Sequence, residues 1–450
     1  MIRRLLTSAA ALALLLSTAP AQAQGGAQRM SLDDCVRTAR SESEEAERAD
    51  AKIDEAVAAR KIARGNFGPK LMWEAGIQRW AEPVEIEFAI PEMEAFGIPP
   101  AAMTVQDATT MQMSFTAAQP VTSLWAIYEG YQAAKLGEEA ARVEAKTVGQ
   151  DVEKQVADAY FQALMAERFV EISQLSVDLI AAHVKRAKSL YDNELIAKNN
   201  LLEAEVRLAQ AKADLIKAQG GMSLARSNLA FQMGLPADQE VAPQRIETSE
   251  LSAGPIRPVA DANAAETERP EIAAMKLRAQ QAEAGARAAW ALMLPQVNLI
   301  ASAQYAKGSE FQPESGYFIG AQASWTFWEW GTTYYGIDQA EARVRQAKSG
   351  IRQLTEGTRL EVKKANIDLD SANKKLEVMR SSVKQAEENL RIVQKQFDHD
   401  VSVSTDVLDA QMLLAKARLD EALAHHEVLQ ARVALRRALG LKPTEGAVSR

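Results

Sequence analysis

The chain of 450 residues contains one cysteine, Cys35, so no internal disulfide can staple it. Its four histidines, His183, His399, His425 and His426, are either scattered or directly adjacent, and adjacent residues do not share a helix face. They make no metal cluster. No nucleotide-binding loop, zinc signature or serine-nucleophile motif is present, so neither a catalytic residue nor a cofactor is expected. Lys and Arg number 52 against 60 Asp and Glu, without a basic block. Phosphate contacts dominate nucleic-acid affinity, which excludes that partner class. After the first residues no apolar run reaches the ~18 residues that a transmembrane helix needs. If the chain enters a membrane, strands must take it there.

Arg3 and Arg4 precede an apolar run from Leu5 to Leu16, and Ala21-Gln22-Ala23 has the small-x-small pattern of a cleavage site. Residues 1–23 therefore read as an export signal.

Proline is absent between Pro120 and Pro236 and again between Pro313 and Pro443. Because proline breaks helix interiors, these two stretches, rich in Ala, Leu, Gln, Glu, Lys and Arg, predict very long helices. Each breaks once, near Asp192 to Asn200 and near Asp398 to Asp406, where Asn199-Asn200 and Ser404-Thr405-Asp406 suggest turn and N-cap chemistry. The stretch from Tyr191 to Leu235 returns 206 residues later as Phe397 to Leu441 without insertion: Leu202 falls on Leu408, Arg226 on Arg432 and Gly234 on Gly440. The spacing indicates a duplicated half-molecule, each half holding a helical hairpin. Apolar positions such as Val206, Ala209, Ala213 and Leu215 are mostly small, favouring close coiled-coil contact.

Before each long helix the period changes to two. Met111, Met113, Phe115 and Ala117 alternate with Gln112, Ser114, Thr116 and Ala118, and Tyr317 to Phe327 repeats the pattern less cleanly. Partner strands are expected at Leu71 to Trp80 and Gln296 to Tyr305, with a longer loop in the first half marked by Pro83, Pro91, Pro99 and Pro100. Strands of about ten residues can cross a bilayer, but closed barrels have about eight or more, so four must be pooled with further copies of the chain. Trp73, Trp80, Trp325, Trp328, Trp330 and Tyr317 gather at these strands and suit membrane-interface girdles against outer-membrane lipid.

With this layout, the sequence resembles the TolC-like outer-membrane efflux proteins of Gram-negative bacteria. The resemblance rests on Leu294-Pro295-Gln296-Val297 leading into a strand, on Gln119-Pro120 and Trp325-Thr326-Phe327-Trp328 closing strands before a helix, on Arg269-Pro270-Glu271, and on Asp406-Val407-Leu408-Asp409-Ala410. It implies a mainly α fold with a transmembrane β part: duplicated helical hairpins form an α-barrel through the periplasm, and four strands per chain contribute to a trimeric 12-stranded β-barrel. The implied function is an outer-membrane exit duct of a tripartite efflux pump or type I secretion system, with a periplasmic adaptor (membrane fusion protein) and an inner-membrane pump as partners of the homotrimer. The helices alone leave one alternative, a periplasmic or surface coiled-coil scaffold without channel activity.

The resemblance also implies site residues at the periplasmic entrance. Asp406 and Asp409, three apart on one helix face, match the family's paired aspartates and would form stacked acidic rings around a threefold axis. Asn200 and Glu203 are their first-half equivalents. The hairpin tips, Asn193, Glu194, Leu195, Ile196 and Ala197 with Asp400, Val401, Ser402 and Val403, are the expected adaptor contacts. Here the sequence departs from the family: Glu194 and Asp400 stand where a glycine is usual, and Phe397 and Ser402 stand where a tyrosine and an arginine hold the entrance shut. Closure must use other contacts, with packing around Phe397 the expectation. The domain plan is 24–235 for the first repeat, 236–268 for a linker at the tube's waist, 269–441 for the second repeat and 442–450 for a polar tail.

Overall fold

The computed structural model describes residues 28–88, 101–244, 268–310, 313–399 and 401–444. The export signal, most of the linker, Asp400 and the end of the tail lie outside them.

Two short helices open the chain, α1 (Leu32–Glu42) and α2 (Glu44–Gly65), started by Ser31 and Ser43, whose hydroxyls accept backbone N–H groups of the first turn. The proline-free intervals are helical from Leu124 and from Thr332 onward, as the sequence predicts. α3 (Leu124–Asp192) runs 69 residues, about 100 Å at 1.5 Å per residue, and turns into α4 (Lys198–Gln232). In the second half α5 (Pro270–Ala291) corresponds to α2, and α6 (Thr332–Asp398) turns into α7 (Ser404–Ala438). The ends of α6 and α7 follow those of α3 and α4 by the same 206 residues that relate the sequences.

The helix starts correct one expectation. Ala197 and Val403 are the N-cap residues of α4 and α7, and neither offers a side-chain cap. Asn199, Asn200, Ser404, Thr405 and Asp406 lie inside the first turns instead. Asp406 does the capping from within: its Oδ2 accepts the Val403 N–H at 3.1 Å, which places a carboxylate on the positive helix end.

The strands form one antiparallel sheet. β2 (Lys70–Arg79), β4 (Ala101–Pro120), β6 (Gln296–Ser309) and β7 (Ser315–Ser324) lie in that order, leaving β2 and β7 as edges. β4 is about twice the expected length. Its extra half pairs with β3 (Val84–Phe88), a strand within what the prolines had marked as a loop. Val84 and Ile86 alternate with Glu85 and Glu87 between those prolines, so the ladder there loses no donor. β1 (Gln28–Met30) and β5 (Val241–Pro243) pair in parallel as a separate ribbon.

The thickest core sits half-way along α3. Cys35, Val36 and Ala39 of α1, Val156, Tyr160 and Phe161 of α3, Leu229 and Met233 of α4, Val241 of β5 and Val433 of α7 pack together there. Val241–Pro243 of the linker are thus buried, and the Tyr160 hydroxyl donates to the Gln244 carbonyl at 3.0 Å. Towards the hairpin turns the core thins to alanine-rich seams such as Ala204, Ala211 and Leu408, the close helix contact that small residues permit. Among the described residues no helix is long and apolar enough to cross a membrane.

Candidate functional site

Strand register decides what the sheet can do. Trp73 pairs with Phe115, Phe115 with Ala303, and Ala303 with Tyr317; one step along, Ala75, Met113 and Tyr305 follow, and in the other direction Leu71, Ala117, Ala301 and Ile319. Since side chains alternate between faces, these residues form one continuous apolar face. The opposite face is mixed but richer in polar residues: Glu74, Gln112, Ser114, Thr116, Ser302, Gln304 and Gln322 share it with Met72, Ile300 and Phe318, and the Thr116 and Ser302 hydroxyls are 3.0 Å apart. A ten-residue strand is about 33 Å long, or about 25 Å high at a tilt near 40°, the height of a barrel's apolar band.

Most of the aromatics fall at the two ends of this band. Trp80 lies at the end away from the helices and Trp325, Trp328 and Trp330 at the helical end, while Trp73 and Tyr317 share one register row within the sheet. All six are exposed, Tyr317 at 86% and Trp330 at 85%. Trp328 and Trp330 meet edge to face at 5.6 Å.

The other end of the rod holds the two hairpin turns. Asp406 and Asp409 are both exposed on one face of α7; Asp409 lies 3.7 Å from the Arg207 guanidinium of α4. Glu203 accepts from the Thr405 hydroxyl at 3.3 Å, and Asn200 is half-buried one turn before it. In the first turn Asn193 donates from Nδ2 to the Ser189 carbonyl at 2.7 Å, and Glu194 takes the left-handed φ of +61° that a glycine would adopt freely. Leu195 and Ala197 are exposed and Ile196 is half-buried; in the second turn Val401 and Val403 are exposed and Ser402 is half-buried. Asp400 lies outside the described residues.

Phe397 has partners within the protomer that sequence reasoning missed. His183 of α3 meets the Phe397 ring at a tilt of 54° with centroids 5.4 Å apart, and its Nε2 shares a 2.6 Å hydrogen bond with the Ser404 hydroxyl. Burial, then the charge of Arg186, holds the His183 imidazole below its ordinary value. Arg186 lies over the same Phe397 ring at 5.9 Å and pairs with Asp398 at 2.8 Å. The duplication offered no signal for them, because the register of 206 is kept only from Tyr191 onward and Asn389 and Ile392 differ from His183 and Arg186 as freely as their neighbours do. Among the described residues no group of three or more His, Cys, Asp or Glu is placed to hold a metal.

The profile of the family described as "Outer membrane efflux protein" matches residues 35–235 and 262–441. The chain is 28% identical to outer membrane protein TolC of Vibrio cholerae over 178 residues, 39% of this chain and 40% of that protein. It is 24% identical to alkaline protease secretion protein AprF of Pseudomonas aeruginosa over 298 residues, 65% of this chain and 62% of that one. The matches thus span less than two thirds of these relatives. The fold is similar to that of solved CusC, with a TM-score of 0.79 at 16% identity, covering 93% of this chain and 96% of the other.

Proposed function

The chain belongs to the outer membrane efflux protein family, and from that premise we propose that it is an outer-membrane exit duct, three copies of which close one channel. The observation that carries the reading is the sheet: four antiparallel strands, apolar on one face and richer in polar residues on the other, with two ten-residue edge strands. An open sheet leaves unpaired backbone groups that lipid does not tolerate. β2 and β7 run antiparallel to each other, so β7 of one copy can pair with β2 of the next. Three copies give a 12-stranded antiparallel barrel, apolar face outward and polar face lining a lumen. The hairpins continue that lumen through the periplasm to a narrow entrance where Asp406 and Asp409, repeated threefold, ring the axis and favour cations. The tips, with exposed Leu195, Val401 and Val403, meet a periplasmic adaptor bound to the inner-membrane pump that supplies the energy. Membrane-interface aromatics, Trp330 foremost, fix the barrel's depth. The duct conducts; it does not catalyse.

The test is single-channel recording of the detergent-extracted protein in a planar bilayer, beside the double variant Asp406→Ala and Asp409→Ala. Discrete cation-preferring openings whose preference weakens in the variant are expected. Openings with unchanged preference would keep the channel and remove the acidic rings, and a protein that stays soluble without detergent and never inserts would leave the coiled-coil scaffold in its place.

A further inference from the structure

Below the barrel, α5 and α6 leave between them an open-sided cleft of about 370 Å³, a volume within the usual range for small-molecule sites. Ala286 and Val344 supply its apolar lining, and the rest is charged. Glu283 is engaged by Lys348 at 2.8 Å, and Arg287 by Glu129 of α3 at 2.9 Å. Among the described residues Glu341 and Arg345 have no ion-pair partner, although they stand four apart on one face of α6, within reach of each other. The cleft thus holds a carboxylate and a guanidinium that are both uncommitted, their stems about 5–6 Å apart.

Its height matches a membrane surface. Arg287 is four residues from the end of α5, about 6 Å, and β6 begins five residues beyond that end. The headgroup layer on each side of the hydrocarbon is about 5–8 Å thick, and long cationic stems reach towards it. The same helix faces carry rings on the membrane side: Trp290 stands three residues after Arg287, and Tyr334 seven before Glu341, both exposed. Such rings suit the lipid interface rather than a water-filled lumen, which puts the cleft on the outer wall of the tube.

We propose that this cleft seats the zwitterionic headgroup of a periplasmic-leaflet phospholipid, with the phosphate on Arg345, the ammonium on Glu341 and the chains rising past Trp290 and Tyr334. A phosphoethanolamine head joins its two charges through two methylenes, a span that the neighbouring charges match, and both contacts are charge-assisted. Free phosphate would satisfy Arg345 and leave Glu341 without a partner; phosphatidylglycerol would do the same. Because α5 and α6 belong to one protomer, each copy carries a whole cleft. The proposal rests on the barrel reading above, which sets the height of the membrane.

The experiment is native mass spectrometry of the full-length trimer extracted from membranes, with phosphatidylethanolamine or phosphatidylglycerol added in equal amount. The wild type should retain one phosphatidylethanolamine per protomer and several-fold less phosphatidylglycerol. Arg345→Gln should lose most of either lipid, whereas Glu341→Gln should lose only the preference and retain the two alike. Trimer recovery and conductance should match the wild type in both, and excess inorganic phosphate should leave the lipid in place. Equal lipid counts in wild type and Arg345→Gln, or a preference that survives Glu341→Gln, overturns the headgroup site; displacement by phosphate also overturns it and leaves an anion site. If Arg345→Gln does not assemble, Glu341→Gln decides. A wild type that stays soluble without detergent overturns the barrel and the cleft together, whereas a conducting trimer with unmoved lipid counts overturns the cleft alone.

Discussion

Glu194 is held at φ +61°, where a Cβ meets the following carbonyl at a cost of about 1–2 kcal/mol. The chain tolerates this because the turn closes α3: the Glu194 N–H donates to the Tyr191 carbonyl and the Leu195 N–H to the Leu190 carbonyl, both at 2.9 Å. Glu194→Gly should therefore make the tip more resistant to opening by up to about 1 kcal/mol, read as slower amide exchange at Leu195. Faster exchange would show that the glutamate side chain supports the turn. His183 gives a pH dependence with a definite sign. Its native titration lies below the ordinary value near 6.5, so the neutral imidazole's stabilisation is complete above that pH and is lost as pH falls through the lower native value. Of the charged groups around it, Arg186 on its own helix repels the proton, Asp398 on α6 is engaged by Arg186, and Glu203 on α4 is engaged by Thr405. His425 and His426 are also held low by burial. The difference between wild type and His183→Phe isolates the effect: the wild type should lose thermal stability faster between pH 6.5 and pH 5, and parallel curves would remove His183 as the source.

At the scale of elements, helix ends repeat one device. α4 and α7 stop at Gly234 (φ +79°) and Gly440 (φ +76°), with Leu235 and Leu441 N–H groups returning to Ala230 and Arg436 carbonyls. A Cβ on Gly234 would lie 2.3 Å from the Glu42 carbonyl oxygen, where α1 passes into α2; one on Gly440 would lie 3.0 Å from the Glu268 carbonyl at the start of α5. Gly234→Ala should cost more than Gly440→Ala, of the order of 2 kcal/mol or more against about 1–2 for the left-handed strain alone, seen as a lower thermal midpoint. Equal losses would mean that the α1–α2 junction gives way. Both glycines were visible in the sequence through the 206-residue register, as were the long helices through missing proline, β4 and β7 through alternation, and β2 and β6 as their expected partners. β3 was hidden by its flanking prolines, and β1 and β5 by their three-residue length. The His183–Ser404 hydrogen bond joins residues 221 apart in sequence, a contact that helix periodicity cannot report. The helix starts misled because Asn and Ser near a break suggest caps, yet Asp406 supplies the cap from the third helical position.

Taken whole, one protomer leaves large apolar residues uncovered on its sheet, where Ile319 is 83% and Trp73 69% exposed. Two kinds of neighbour are needed to cover the sheet: further copies along the strand edges and lipid over the apolar face. These demands can be separated on one strand. Ile319 lies mid-way along β7 on the apolar face and Gln322 on the polar one. Ile319→Arg puts a cation into the bilayer's middle at a cost of about 2–4 kcal/mol and should sharply lower the amount of trimer recovered from membranes. Gln322→Arg, an equal change in size and charge, should leave assembly intact and shift the pore's preference towards anions, measured as a displaced reversal potential in a salt gradient. The reverse pattern, with Ile319→Arg assembling and altering selectivity, would turn the barrel inside out. Equal tolerance of both would mean that neither face meets lipid, which returns the strands to pairing within an extended coiled-coil scaffold.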